Sequence, residues 1–415
     1  MQKNSEKADH DHPVAGKLAF SLLIIAIYLL GKRIPIPWVL TDKKVLGETG
    51  LQHFIQSSLG SDMAQNSILS VGFMPYMTAM IIVSLGHAVS KENKSSSKWM
   101  MREIRLLTVL AALLQSILHA GKLTYVEDSL LSTHLLHFMT VVVLIGGSFV
   151  LVWLSERCAR WGLGGSQVLI LVNVLENFWK NGITAAEELY LTGEDSARWI
   201  SIAVLAIILV AFMTIVMERT EIHIPICRVM IHNSFAGESN MAIKLNPVGT
   251  MPVMYVMTLF AIPYYLCEMF SYFWGEKRWI VAIERNLNLQ STGGIIFFLI
   301  LLAVLTFLLA RIYIDPRAVA EALQKSGDYI PGIHPGKATA KALENSVCFA
   351  SCVSTLVTGG IIVLPLLPQV YFGWKLSVFM MPMSVMILTG LLMGILEEVH
   401  VVGVMNRYRN FSPEL

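Results

Sequence analysis

Ten apolar runs punctuate this chain, at 16–31, 67–87, 104–121, 135–155, 165–182, 199–217, 248–270, 293–313, 346–367 and 376–396. Each is close to the roughly 17–25 residues a helix needs to cross a bilayer. Inside lipid every backbone N–H and C=O must be paired within its own segment, so runs of this length commit the chain to a bundle of spanning helices. Composition agrees: 55% of the 415 residues are hydrophobic and 14% charged, which excludes an ordinary soluble core. The first run, Leu18 to Leu30, follows a charged start as a signal peptide would. Gly31-Lys32-Arg33-Ile34-Pro35 comes next instead of a small-residue cleavage site, and a retained span is expected.

An even number of spans puts both termini on one side. Of the 31 lysines and arginines, 20 fall on that side, so the positive-inside rule predicts cytosolic termini in a cytoplasmic membrane. The two longest loops on the same face, 218–247 and 315–345, are polar and punctuated by Gly and Pro, a natural surface for a soluble partner. Cys158, Cys227, Cys267, Cys348 and Cys352 show no disulfide spacing, and Cys348 and Cys352, one turn apart, read as small packing residues and not as metal ligands. Glu176, Glu268, Glu397 and Glu398 lie toward the ends of apolar runs and are expected to reach water. Glu397, Glu398 and His400 are contiguous at a helix end without a second histidine at helical spacing, so no metal centre is expected.

The run that opens as Ser67-Ile-Leu-Ser-Val-Gly-Phe-Met-Pro-Tyr, continuing to Val83, carries Pro75 in its interior. A proline there removes a donor and clashes with the preceding turn, which predicts a kink. Residues 57–61, bearing Gly and Ser, suggest a re-entrant half-helix before it, an element tolerated at membrane depth where it lines a cavity.

Five stretches taken in order carry a resemblance: Ile34-Pro35-Ile36-Pro37; Val71-Gly72-Phe73-Met74-Pro75-Tyr76; Trp153 to Gly165 with its Gly-rich turn; Asn246-Pro247-Val248-Gly249-Thr250-Met251-Pro252; and Tyr329-Ile330-Pro331-Gly332-Ile333-His334-Pro335-Gly336-Lys337. The Gly-rich turn lacks the Lys-Ser or Lys-Thr and the preceding strand of a phosphate-binding loop. Together these stretches resemble SecY, the protein-conducting channel, from Ile34 to about Val399. The resemblance implies an all-α membrane protein with ten transmembrane helices in two inverted five-helix halves, 1–183 and 184–415, around a central pore. It implies a plug at 51–66 and a pore ring of Phe73 and Met77 flanking Pro75, Leu171 and Leu175, Met254, and Ile387. Gln115 falls where the family's lateral gate carries polar side chains; an ordinary interhelical hydrogen bond remains equally open for it.

Non-enzymatic transport of unfolded secretory proteins is implied, driven by a SecA-type ATPase docking on the two cytosolic loops through Arg228, Lys244, His334, Lys337 and Lys341, with SecE- or SecG-like small subunits and no cofactor or nucleic acid. His334 stands where the family carries an arginine, whose permanently charged, rigid fork histidine does not match. This departure, with a shortened loop before Asn246 and an early stop after the last span, favours the accessory SecY of some Gram-positive bacteria, which exports large glycosylated serine-rich surface proteins with its own motor. A housekeeping SecY stays open beside it. From another class, a secondary transporter of a small solute would need convergent polar residues at mid-membrane, where this chain is apolar.

Overall fold

The computed structural model describes residues 14–40, 66–89, 97–125, 132–190, 196–228, 239–274, 291–372 and 377–411. In chain order it places α1 (Val14–Lys32), α2 (Met74–Val89), α3 (Ser97–Lys122), α4 (Thr133–Trp161), α5 (Gly165–Tyr190), α6 (Ser196–Arg219), α7 (Met251–Trp274), α8 (Thr292–Tyr313), the short α9 (Pro316–Ser326), α10 (Lys337–Phe372) and α11 (Met381–Phe411). Among the described residues, seven helical stretches are long and apolar enough to cross a membrane, and the expected order of helices is followed throughout. The plug expectation at 51–66 lies outside the described residues except for Asn66.

Helices α2, α3, α4 and α5 pack in succession, α8 packs on α7 and α10, and α11 lies against α5, α6 and α10. Contacts of α7 with α2 and α3 join the two sides of the bundle. At the centre one apolar cluster takes side chains from α1, α2, α4, α5, α7, α8, α10 and α11, including Met74, Leu151, Leu169, Val256, Phe298, Ile362 and Met386. Lipid tails are as apolar as leucine, so such helices associate through close packing and polar contacts and not through exclusion of water.

Residues 66–73 show how the packing is made. They form no helix: Ile36 N donates to Asn66 O at 3.3 Å and Ile68 N to Ile34 O at 3.1 Å, so the Ile-Pro-Ile-Pro turn pairs with them. Gly72 takes φ +68°, open to a residue without a Cβ, and α2 begins two positions later. Pro75 therefore stands in the first turn of α2, where its missing N–H has no helical partner to lose. The mid-span kink expected at Pro75 is not found; the break precedes the proline.

Gly147 of α4 admits this segment, since a Cβ there would overlap the carbonyl oxygen of Ile68, whereas one on Gly146 would meet nothing within 4 Å. Gly147→Val is expected to lower thermal stability in detergent by about 1–3 kcal/mol, the usual cost of overpacking, with Gly146→Ala near neutral. Equal melting temperatures for the two variants would mean that the 66–73 segment is not seated on α4.

The described parts of the two long loops are folded and joined. Strand β1 (Glu221–Arg228) pairs antiparallel with β2 (Ser239–Lys244), from Glu221↔Lys244 to Ile226↔Ser239. Its far end pairs with β3 (Asp328–Tyr329) of the second loop, Cys227↔Tyr329 and Arg228↔Asp328, giving the order β2-β1-β3. Asp315 caps α9, its carboxylate accepting from the N–H groups of Arg317 and Ala318, with Pro316 at the first position; Gly327 ends the helix at φ +76°. Ile243, Ala320, Ile330 and Leu343 close a small core between sheet, α9 and α10. The 315–345 loop is thus helix, strand, turn and the first turns of α10 (Lys337–Phe372), and the whole is one knob.

Cys348 and Cys352 are exposed on the outward side of α10 beside Phe349 and Leu356, so they do not pack within the chain as expected.

Candidate channel constriction

Three turns deliver side chains to the centre of the bundle. The Gly72 turn releases Phe73 just before α2, and Met77 N closes the first helical bond on Phe73 O at 3.2 Å. Gly162, Leu163 and Gly164 turn the chain from α4 into α5, with Gly164 at φ +75° and Gly165 at +46°. Gly249, at φ +64°, precedes α7, and the next residue, Thr250, lies so close to Gly390 of α11 that a Cβ on Gly390 would overlap its side chain.

Phe73, Met77, Met254 and Ile387 are all buried in the central cluster, at 2% exposure or less, and Leu171 packs against it half-buried. The Phe73 ring also lies 4.9 Å from that of Tyr76. Leu175, one turn beyond Leu171, is 52% exposed and stands outside the cluster. Five of the six ring candidates thus belong to, or pack against, one apolar cluster.

On α3, Gln115 and Ser116 are buried, with no hydrogen-bond partner for the Gln115 carbonyl oxygen among the described residues. The interhelical bond weighed for Gln115 is not made through that oxygen. Because α3 and α2 both touch α7, Gln115 lies on one of the helices bordering the seam between the two sides.

The docking candidates cluster on the knob. Arg228 ends β1 opposite Asp328. His334 is exposed in the turn after Gly332, its carbonyl accepting from Thr339 Oγ1 at 3.0 Å. Lys337 and Lys341 are exposed one turn apart at the start of α10 and so share a face. Lys244 differs, since its ammonium pairs with Glu397 of α11.

The acids expected simply to reach water have specific partners. Glu176 pairs with Lys32 at 2.6 Å and Lys180 at 2.8 Å; Glu398 accepts from Gly164 N at 2.8 Å; the Glu268 side chain lies outside the described residues. Lys32 is itself buried and also donates to Asn173 Oδ1, which accepts from Tyr28 O–H at 2.7 Å. Sequence reasoning missed Lys32, Asn173 and, more consequentially, Glu218 and the side chain of Asn246, which are buried and bonded to each other. The available signal was a lone Glu ending an otherwise apolar run.

Glycine-punctuated entries to several helices, closing on one central apolar cluster in a bundle of spanning length, define a multi-pass helical membrane protein. The chain belongs to the SecY family, whose sequence profile matches residues 67–396. It is 28% identical over 399 residues to the accessory Sec system protein translocase subunit SecY2 of Streptococcus sanguinis (strain SK36), covering 95% of this chain and 97% of the relative. The fold superposes on a solved protein-conducting channel with a TM-score of 0.65 at 17% identity, covering 94% of this chain and 93% of that one. It also matches a structure described as showing that the plug domain of SecY stabilises the closed state and maintains a membrane seal, with a TM-score of 0.63 at 17% identity and the same coverage.

Proposed function

We propose that this chain is the central channel subunit of an accessory Sec protein translocase, passing unfolded secretory proteins across the cytoplasmic membrane. The observation that carries the reading is the burial of Phe73, Met77, Met254 and Ile387 in one apolar cluster with Leu171 packed against it, in a chain whose near full-length relative bears the accessory translocase name; on this reading the five form the apolar waist of the pore. An apolar constriction dewets when empty and forms a gasket for any side chain when filled, so it can pass protein and hold back ions. A small-solute carrier would instead bring polar groups to this depth.

On this reading the halves 1–183 and 184–415 part between α2 and α3 on one side and α7 and α8 on the other. Gln115 borders that gate, 51–66 plugs the pore, and Leu175 faces a funnel beside the waist. Both termini and the knob lie in the cytosol, where a SecA-type motor docks, and SecE- or SecG-like small subunits complete the complex. Large glycosylated serine-rich surface proteins are its cargo.

Vesicles carrying this chain, its small partner subunits and a cognate motor are expected to protect such a preprotein from protease, given ATP and a signal sequence. Protection that persists in vesicles lacking this chain would overturn the reading.

A further inference from the structure

Residues 244–250 join the knob to the first turn of α7, and buried polar bonds hold them. Asn246, 6% exposed, donates from Nδ2 to Glu218 Oε1 at 3.1 Å and accepts at Oδ1 from Ser354 Oγ at 2.9 Å. Glu218 lies in the last turn of α6 and Ser354 belongs to α10, both nearly fully buried, so one side chain ties the entry of α7 to two other helices. Two residues earlier Lys244, the last residue of β2, is pinned to Glu397 of α11. Three residues later Gly249 passes the Glu218 carboxylate in a left-handed turn, leaving contact distance for no more than a Cβ.

Burying a carboxylate costs free energy unless its oxygens are bonded, and an apolar trio would serve packing better. A shallow, open-sided pocket with room for little more than a water molecule, lined in part by Thr214, Asn246, Thr250, Val357, Thr358 and Met386, borders the same joint.

We infer that Asn246 is a positioning residue that couples the knob to α7. A displacement of the knob reaches α7 through β2 and the Asn246 bonds, and α7 carries it to the waist through Met254 in its first turn. With the bonds gone, the knob moves and α7 does not follow. The inference rests on the proposed docking of a motor at the knob.

The test uses the full chain in vesicles with its small subunits and motor, reading motor affinity and translocation rate separately. Asn246→Ala is expected to leave motor Kd within about twofold and to lower the rate per bound motor about tenfold. Glu218→Gln keeps an oxygen that accepts from Asn246 and is expected to translocate like the wild type, whereas Glu218→Ala follows Asn246→Ala. Wild-type rates for Asn246→Ala, or affinity and rate falling together in proportion to folded protein, would overturn the coupling. If the wild type itself binds no motor, the docking proposal fails and takes the coupling with it.

Discussion

Replacing Met77, Met254 and Ile387 together by serine is expected to make the closed channel leak ions by at least about tenfold over the wild type in planar bilayers. All three side chains are almost wholly buried in the waist. In the proposed waist their apolar surfaces would keep the narrow centre dry, whereas hydroxyls in the same positions would bind water and let a wet column persist. The same triple change at Leu22, Leu205 and Leu356, which are large, apolar and exposed on the outer surface, is expected to leave conductance unchanged. A tight channel after the waist substitutions would show that the seal lies elsewhere, with the 51–66 plug the next candidate.

The second large effect concerns the knob. Reversing Arg228, Lys337 and Lys341 to glutamate is expected to weaken motor binding about a hundredfold at low salt, and less as salt rises. An exposed charge pair is worth up to about 1 kcal/mol, and reversal replaces attraction by repulsion at three positions. Screening over about 8 Å at physiological ionic strength gives the salt dependence. Lys244 is left out because its ammonium is held by Glu397, so its reversal would also disturb α11. Affinity that is unchanged, or reduced equally at all salt concentrations, would move the docking surface away from these cations.

The sequence yields the bundle readily because a bilayer leaves so few choices: an apolar run of spanning length must become a helix. The cap and stop of α9 were written locally, in Asp315-Pro316 and Gly327. What stayed hidden was long-range. Pro75 reads alike in the middle and in the first turn of a helix, and the deciding contact is the pairing of 66–73 with Ile34 and Ile36. The knob depends on β1 meeting a two-residue strand at Asp328 and Tyr329, a pairing too short to announce itself. Glu176 gave no hint of Lys32, 144 positions away, nor Glu218 of Asn246.

The ring candidates were named through family resemblance and not through pattern, since these helices are apolar almost throughout. For the same reason the exposure of Leu175 could not be foreseen: Leu171 and Leu175 share a helix face, and only the three-dimensional packing separates them.

The most direct test of the channel reading is crosslinking from the waist. A photo-reactive side chain at Met77, with a second version at Leu22 on the exposed side of α1, is placed in vesicles holding a secretory chain stalled in mid-transit. The account predicts a crosslink between Met77 and the mature part of the stalled chain, dependent on a signal sequence, and none from Leu22. Crosslinking from Leu22 and not from Met77 would contradict it, placing the translocating chain outside the bundle.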